Sequence, residues 1–374
     1  MNTKTVQMKV PFSYLDRQFA DLEPYLKDIE ALAKTGVFTL GEPVDVFEEK
    51  FAAASNMPYA IGVSSGTDAL ILAMQASDIG LGDEVITTPY TFIATVATIA
   101  MVGAKPVLVD CGDDYCIDAK KIEAAITKKT KAILPVHYTG RPAEMKQIVA
   151  IAKKHNLKII EDGCQAVQAS RDGEPVGSWG QAAAISFHPL KNFNVWGDGG
   201  AILTKHKDLA EKLKLLRNHG LMTRDKVTIF SRNARLHTLQ AVIGTRLLEK
   251  LDWITQRRIE LAVNYDKAFA DLKDSISHPK REAGVKEVYH LYILRVKDRD
   301  SLLRHLHEQG VDAKIHYPIP VHLQEAAQYL GYKVGDFPVA EKTCKEIISL
   351  PLHQHLTDEE QAYTIESVRS FYKK

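Results

Sequence analysis

Between residues 58 and 204, seven short runs rich in β-branched and small apolar residues recur: YAIGVSS, DEVITTP, KPVLVDC, KAILPVHY, LKIIEDG, AAAISF and GAILT. They are apolar almost throughout instead of alternating with polar residues, which suits strands covered on both faces. Segments with helical spacing between them, such as TDALILAMQAS and AEMKQIVAIAKKHN, supply the cover. The pattern predicts an α/β fold built on a doubly wound, mostly parallel sheet of seven strands. Ligands of such sheets bind beyond the carboxyl ends of the strands, so the residues that follow each run are the ones to inspect.

The flanks predict a second, smaller unit. A chain of 374 residues exceeds the roughly 250–300 at which a single core stops growing. Before the sheet, DRQFADLEPYLKDIEALAKTG reads as a packing helix capped by Gly36. After it, HTLQAVIGTRLLEKLDWITQRRIELAVNYDKAFADL keeps a helical period long enough to bridge two lobes. The expected division is 1–250, a large lobe that includes the N-terminal helix, and 251–374, a small α+β lobe with strands VYHLYILRV and DAKIHYP and a closing helix.

Charge and cysteine usage narrow the partners. Lys and Arg number 48 against 47 Asp and Glu, so no overall field favours nucleic acid, and a small-molecule substrate is expected. TFIATVATIAMVGA falls short of the roughly 20 residues that span a bilayer, and MNTKTVQMKV carries no apolar leader, so a cytoplasmic protein without membrane association is expected. Cys111, Cys116, Cys164 and Cys344 show no paired spacing and read as reduced core residues. His305 with His307 and His353 with His355 lack acidic or cysteine partners at ligand spacing, so no metal is expected.

Three strand ends carry groups with chemical potential. In VSSGTDALILA, Gly66 and Thr67 would aim N–H groups from a helix start at a phosphate, although a simple helix cap reads equally well. In LKIIEDGCQA, Glu161 and Asp162 end an apolar strand and need a cationic or hydrogen-bonding partner, or else anchor a loop. In SFHPLKNFNVWGDGG, Lys191 is either a solvated loop residue or a reactive amine. A phosphate cradle, an acid and a lysine on one sheet edge are together what pyridoxal 5′-phosphate requires.

The order and wording of GVFTLGEPVDVFEEKFA, SSGTDAL, TTPYTFIATV, VHYTGRPAEM, IIEDGCQA, SFHPLKN with GDGGAILT, RNHG, SRNARLHTLQAVIG, HYPIPVHLQ, GDFPVAE and SLPL resemble the DegT/DnrJ/EryC1/StrS sugar aminotransferases over nearly the whole chain. These are fold-type I, pyridoxal-phosphate-dependent transferases. The resemblance implies that Lys191 forms the Schiff base and that Asp162 partners the pyridinium nitrogen. It also implies that Gln165 bonds the phenolic oxygen, Phe92 stacks on the ring, and Gly66, Thr67 and Ser186 hold the phosphate. Asn233 is similar to a residue that reaches the neighbouring subunit's cofactor, which implies a homodimer with shared sites. Val167 and Gln168 depart from a common His-Gly, and Gln354 stands where proline is common.

By the same resemblance, L-glutamate is the amino donor and a keto sugar the acceptor. The NFNVWGDGG wording is most similar to members that aminate 8-keto-3,8-dideoxy-manno-octulosonate for lipopolysaccharide, and a nucleotide-linked 3-keto or 4-keto hexose is the alternative. Arg232, His316, Tyr317 and His322 are acceptor candidates that serve equally well as structural residues, and Asn194, Val195 and Trp196 are the loop positions expected to read the sugar. Related sugar dehydratases carry histidine at the lysine position, so Lys191 argues against that chemistry. The intact lysine, aspartate and phosphate set argues against a non-catalytic binding protein.

Overall fold

A computed structural model describes residues 8–373. The seven runs form the strands β1 (Tyr59–Val63), β2 (Glu84–Thr87), β3 (Lys105–Leu108), β4 (Thr130–Ile133), β5 (Lys158–Asp162), β6 (Ala182–Ser186) and β7 (Gly200–Thr204). They lie in one sheet in the order β1-β7-β6-β5-β4-β2-β3. Neighbours from β6 to β3 run parallel, and β7 alone is antiparallel to both of its neighbours. The sheet is covered on both faces, by helices that include α4 (Ile93–Met101) and α5 (Met145–Lys154). On one, Leu70, Leu72 and Met74 of α3 (Gly66–Ala76) and Leu213 of α6 (Lys207–Leu216) meet Ile61, Ile160 and Ile202. On the other, Phe47 and Phe51 of α2 (Glu42–Ala54) and Ile243 of α7 (Thr238–Leu248) meet Ile185 and Leu203. Burial on both sides is why these strands tolerate few polar residues.

The flanking helices differ from expectation in two places. The N-terminal pattern is broken into Leu15–Gln18 and α1 (Glu23–Thr35) because Pro24, which lacks an amide hydrogen, is accommodated in the first turn of a helix and not in its interior. Gly36 ends α1 in the left-handed region at φ 69°. The long bridging pattern divides at Glu249 and Lys250 into α7 and α8 (Leu251–Ala268). Neither glycine nor proline marks this break. The turn lets Leu247 and Leu251 enter the same apolar cluster.

The C-terminal part holds a three-stranded antiparallel sheet of β8 (Ile276–Ser277), β9 (Tyr292–Val296) and β10 (Ile347–Leu350), with β9 central. The expected strand in DAKIHYP amounts to one bridge, Lys314 to Ser349. The closing helix α9 (Asp358–Tyr372) begins with a complete capping box of Thr357 and Glu360. Val10 packs in the C-terminal cluster with Leu261, Val311 and Ile348, so the start of the described chain returns to its last third. Among the described residues no helix is long and apolar enough to cross a membrane.

Where β1, β6 and β7 meet, backbones approach too closely for side chains. A Cβ at Gly200 would stand 2.6 Å from the Ser65 carbonyl oxygen and 2.7 Å from that of Ile185. Gly200→Ala should therefore lower the unfolding free energy by about 2 kcal/mol, as overpacking against unyielding backbone does. Denaturant unfolding checks this, and a variant as stable as the parent would contradict the close approach.

Candidate active site

The carboxyl ends of β1, β5 and β6 border one cavity of about 340 Å³, whose other walls include Phe12, Tyr14, His290, His316, Tyr317 and Leu352. After β1 the chain enters α3 through Ser65, whose Oγ accepts from the Asp68 N–H at 3.0 Å while its carbonyl accepts from Ala69 at 2.9 Å. The N–H groups of Gly66 and Thr67 precede the first intrahelical bond and lie at the cavity wall, ready for an anion. A Cβ on Gly66 would come within 2.7 Å of Ser186 Cβ and 2.9 Å of Cys164 Sγ, so only glycine keeps this cradle open.

The two carboxylates that end β5 go to opposite faces, as the period of a strand requires. Glu161 is fully buried and accepts from Gly177, Trp179 and Gly180 N–H groups at 2.8–3.0 Å. His137 Nδ1 accepts from the Ala143 N–H, which leaves Nε2 to donate to Glu161 at 3.1 Å. Asp162 faces the cavity, with Oδ2 accepting from Thr95 Oγ1 at 2.7 Å and Oδ1 from the Cys164 N–H at 3.1 Å. Gln165 Oε1 accepts from the Thr139 N–H at 2.8 Å, so its amide NH2 is the group left for the cavity.

Lys191 sits in the loop from β6 to β7 with its backbone tied at both ends. Its N–H donates to the His188 carbonyl at 2.8 Å, and its carbonyl accepts from Tyr14 Oη at 2.9 Å and Asn194 Nδ2 at 3.0 Å. The side chain lines the cavity. Burial lowers the pKa of the ammonium group, against the opposing pull of Cys164 and Asp162. A lysine shifted in this direction is a better nucleophile and base than an exposed one.

Of the residues singled out from sequence, Lys191, Asp162, Gly66, Thr67, Phe92, Gln165, Ser186, His316 and Tyr317 line this one cavity. Phe92 is 50 % exposed, and its ring lies 5.8 Å from that of Tyr317. Six others lie elsewhere. Arg232 pairs with Asp68 at 3.5 Å, and exposed Asn233 accepts from the Arg235 N–H. His322 is buried against Phe337 and bonded to Glu341 at 3.1 Å, in a turn that carries it away from the cavity. Trp196 packs on Phe19 and Tyr25, while Asn194 and Val195 are buried, so this stretch faces the protein interior and does not line the cavity.

Sequence reasoning missed Tyr14, Thr95, Arg258 and His290 as cavity residues. Thr95 lies within TTPYTFIATV and could have been found as the hydroxyl one turn after Phe92; the others carry no local signal. Cys111, Cys116 and Cys344 are buried core residues, whereas Cys164 lies at the cavity wall. His305 and His307 bond backbone carbonyls of Ser367 and Ala313, and among the described residues no three potential ligands gather around a metal position.

These residues fit a phosphorylated pyridine aldehyde: free N–H groups for the phosphate, a fixed carboxylate for a ring nitrogen, and an amine of lowered pKa. Compared with known proteins, residues 21–369 match the DegT/DnrJ/EryC1/StrS aminotransferase family. A "Pleiotropic regulatory protein" of Geobacillus stearothermophilus is 41% identical over 98% of this chain and 99% of its own. The dTDP-3-amino-3,6-dideoxy-alpha-D-galactopyranose transaminase of Aneurinibacillus thermoaerophilus is 42% identical over 93% of this chain and 96% of its own. The UDP-N-acetyl-3-dehydro-alpha-D-glucosamine 3-aminotransferase of Acidithiobacillus ferrooxidans is 38% identical, over 96% of each. Among solved structures, S. venezuelae DesV in complex with a ketimine intermediate has a TM-score of 0.95 at 37% identity, covering 98% of this chain and 99% of that one. Bacillus subtilis NtdA with bound cofactor PMP has a TM-score of 0.91 at 34% identity, covering 98% and 86%.

Burial, with Lys191 and Lys314 nearby, lowers the His316 pKa to about 4, and burial beside Arg258 lowers that of His353 to about 3. Between those values and the ordinary 6.5, the unfolded chain binds more protons than the folded one. Stability is therefore expected to fall as pH drops below 6.5 and to continue falling towards 4. Denaturant melts at stepped pH values measure the slope. His316→Asn should flatten it, and an unchanged slope in that variant would contradict the assignment.

Proposed function

The chain belongs to the DegT/DnrJ/EryC1/StrS aminotransferase family and is a sugar aminotransferase whose cofactor is pyridoxal 5′-phosphate, and from that premise we propose that it transfers the amino group of L-glutamate to the C3 ketone of a nucleotide-linked hexose. The observation that carries the catalytic assignment is the single cavity shared by Lys191, Asp162 and the Gly66–Thr67 cradle. The acceptor assignment rests on relatives named for dTDP- and UDP-linked sugars aminated at C3. They favour the nucleotide-linked alternative over the 8-keto octulosonate.

When bound, the cofactor supplies an electron sink for the carbanion formed at the donor's α-carbon. In this proposal the Gly66 and Thr67 N–H groups and the Ser186 hydroxyl bind its phosphate, and Phe92 covers its ring. The Gln165 NH2 donates to its phenolic oxygen. Asp162, fixed by Thr95 and the Cys164 N–H, holds a proton on its ring nitrogen. Lys191 Nζ would hold the cofactor and, once the donor's amine displaces it, would as a free amine take the proton from the donor's α-carbon and give it back as acid. His316 and Tyr317, which line the cavity, are the acceptor contacts in this reading. We propose further that the working unit is a cytoplasmic homodimer in which Asn233 serves the partner's cavity, and that each chain divides into lobes at residue 250.

Lys191→Ala should lose the visible absorbance of the attached cofactor and at least about a thousandfold in kcat. Full activity in that variant would refute the lysine assignment. A glutamate-driven screen of keto acceptors should give turnover with nucleotide-linked 3-keto hexoses and markedly less with 4-keto hexoses or 8-keto octulosonate. Preferred turnover of the octulosonate would overturn the acceptor reading.

A further inference from the structure

Five buried side chains close a ring of hydrogen bonds on the carbonyl of Lys191. Tyr14 Oη donates to that carbonyl at 2.9 Å and accepts from Arg258 Nη2 at 3.2 Å. Arg258 Nε donates to Gln354 Oε1 at 3.0 Å, and Gln354 Nε2 donates to Gln18 Oε1 at 2.6 Å. Gln18 Nε2 reaches Asn194 Oδ1 at 3.5 Å, and Asn194 Nδ2 returns to the Lys191 carbonyl at 3.0 Å. Every side chain in the circuit is less than a tenth exposed. The members come from the N-terminal segment, the lysine loop, α8 and the segment before α9.

Packing alone does not account for such a circuit. Arg258 is 1 % exposed and its bonds go to Gln354, Tyr14 and the carbonyls of Tyr289, His290 and Leu352, with no carboxylate among them. A buried cation without an anionic partner is costly, and apolar side chains of the same volume would serve the fold as well or better. The arrangement has a specific geometric product instead. It fixes the carbonyl of the residue whose side chain enters the cavity, through two donors that are themselves held. Tyr14 is further restrained by stacking on His353, with ring centroids 4.9 Å apart, and by the Arg258 guanidinium 5.5 Å from its ring centre.

We propose that Tyr14, Asn194 and Gln354, with Gln18 and Arg258, are positioning residues for Lys191, holding its backbone so that Nζ projects into the cavity beside Asp162. This rests on the assignment of Lys191 as the cofactor-attaching amine. The ring acts through the lysine, so its effect is read in the reactivity of that amine. Cys164 and Asp162 are the charged or titratable groups that face Nζ along with the neutral imidazoles of His188, His290 and His316. Loosening the loop would admit water to Nζ and raise its pKa towards that of an ordinary lysine.

The test uses the full chain freed of cofactor. Pyridoxal 5′-phosphate is added across a pH series, the adduct is trapped with borohydride, and the modified lysine is located by mass spectrometry. Tyr14→Phe keeps the ring stack and removes the hydroxyl; Gln354→Met removes the bonds to Arg258 and Gln18 without touching Lys191. Capture at Lys191 should slow about tenfold in each, with the pH midpoint moved upward, while the thermal midpoint falls by only a few degrees. The double variant should be no slower than the slower single one, as expected of a closed circuit. Wild-type capture rate and midpoint in both single variants would overturn the ring's role even if they melt lower. Failure of the unaltered protein to be modified at Lys191 would instead overturn the lysine assignment, and the ring's role with it.

Discussion

The cavity exists because three backbones are allowed to touch. The turn after β1, the end of β6 and the start of β7 come within van der Waals contact through Gly66 and Gly200, where any side chain would strike Ser186, Cys164 or the Ser65 carbonyl. That contact brings the α3 amino terminus against the strand end that leads to the lysine loop. It also lets an antiparallel strand, β7, sit inside an otherwise parallel sheet, because the loop can reverse direction without moving away from the cradle. Charge and hydrogen bonding then act over distances that this contact has already set.

The sheet was legible from sequence for a simple reason. Strands covered on both faces need apolar residues at their centres, and all seven have them, with charged residues only towards the strand ends. The catalytic candidates were legible because each lies at the end of such a run or in the loop that leaves it, at Gly66, Asp162 and Lys191. What resisted reading was anything set by distant packing. Pro24 signals its own helix break, but the division at Glu249 is imposed by Leu247 and Leu251 turning into one core, and no local residue announces it.

The same limit applies to the loop after Lys191. NFNVW contains the polar and aromatic types expected of a sugar-reading surface, yet Asn194 and Val195 are buried and Trp196 is held by Phe19 and Tyr25. Composition cannot tell a wall that faces a ligand from one that faces the N-terminal segment. Tyr14 and Arg258 were invisible for the converse reason: 177 residues separate the tyrosine from the carbonyl it bonds, and only the folded chain brings them together. The polar ring also ties the two ends of the chain to its middle, so residues 14, 18 and 354 share a fate with the lysine loop although none is near it in sequence.

Glu161 and Asp162 are chemical near-equivalents, adjacent in sequence, and the sheet makes them unlike. The bonds from His137 and three backbone amides saturate Glu161 on one face, so its charge is answered before it can be felt on the other. Asp162 meets only two short-range donors and opens on the cavity. The strand thus works as a partition with one insulated and one exposed terminal. A cation entering the cavity meets Asp162 and not Glu161, and a slip of one residue in β5 would exchange the two and turn that strand end electrically inside out.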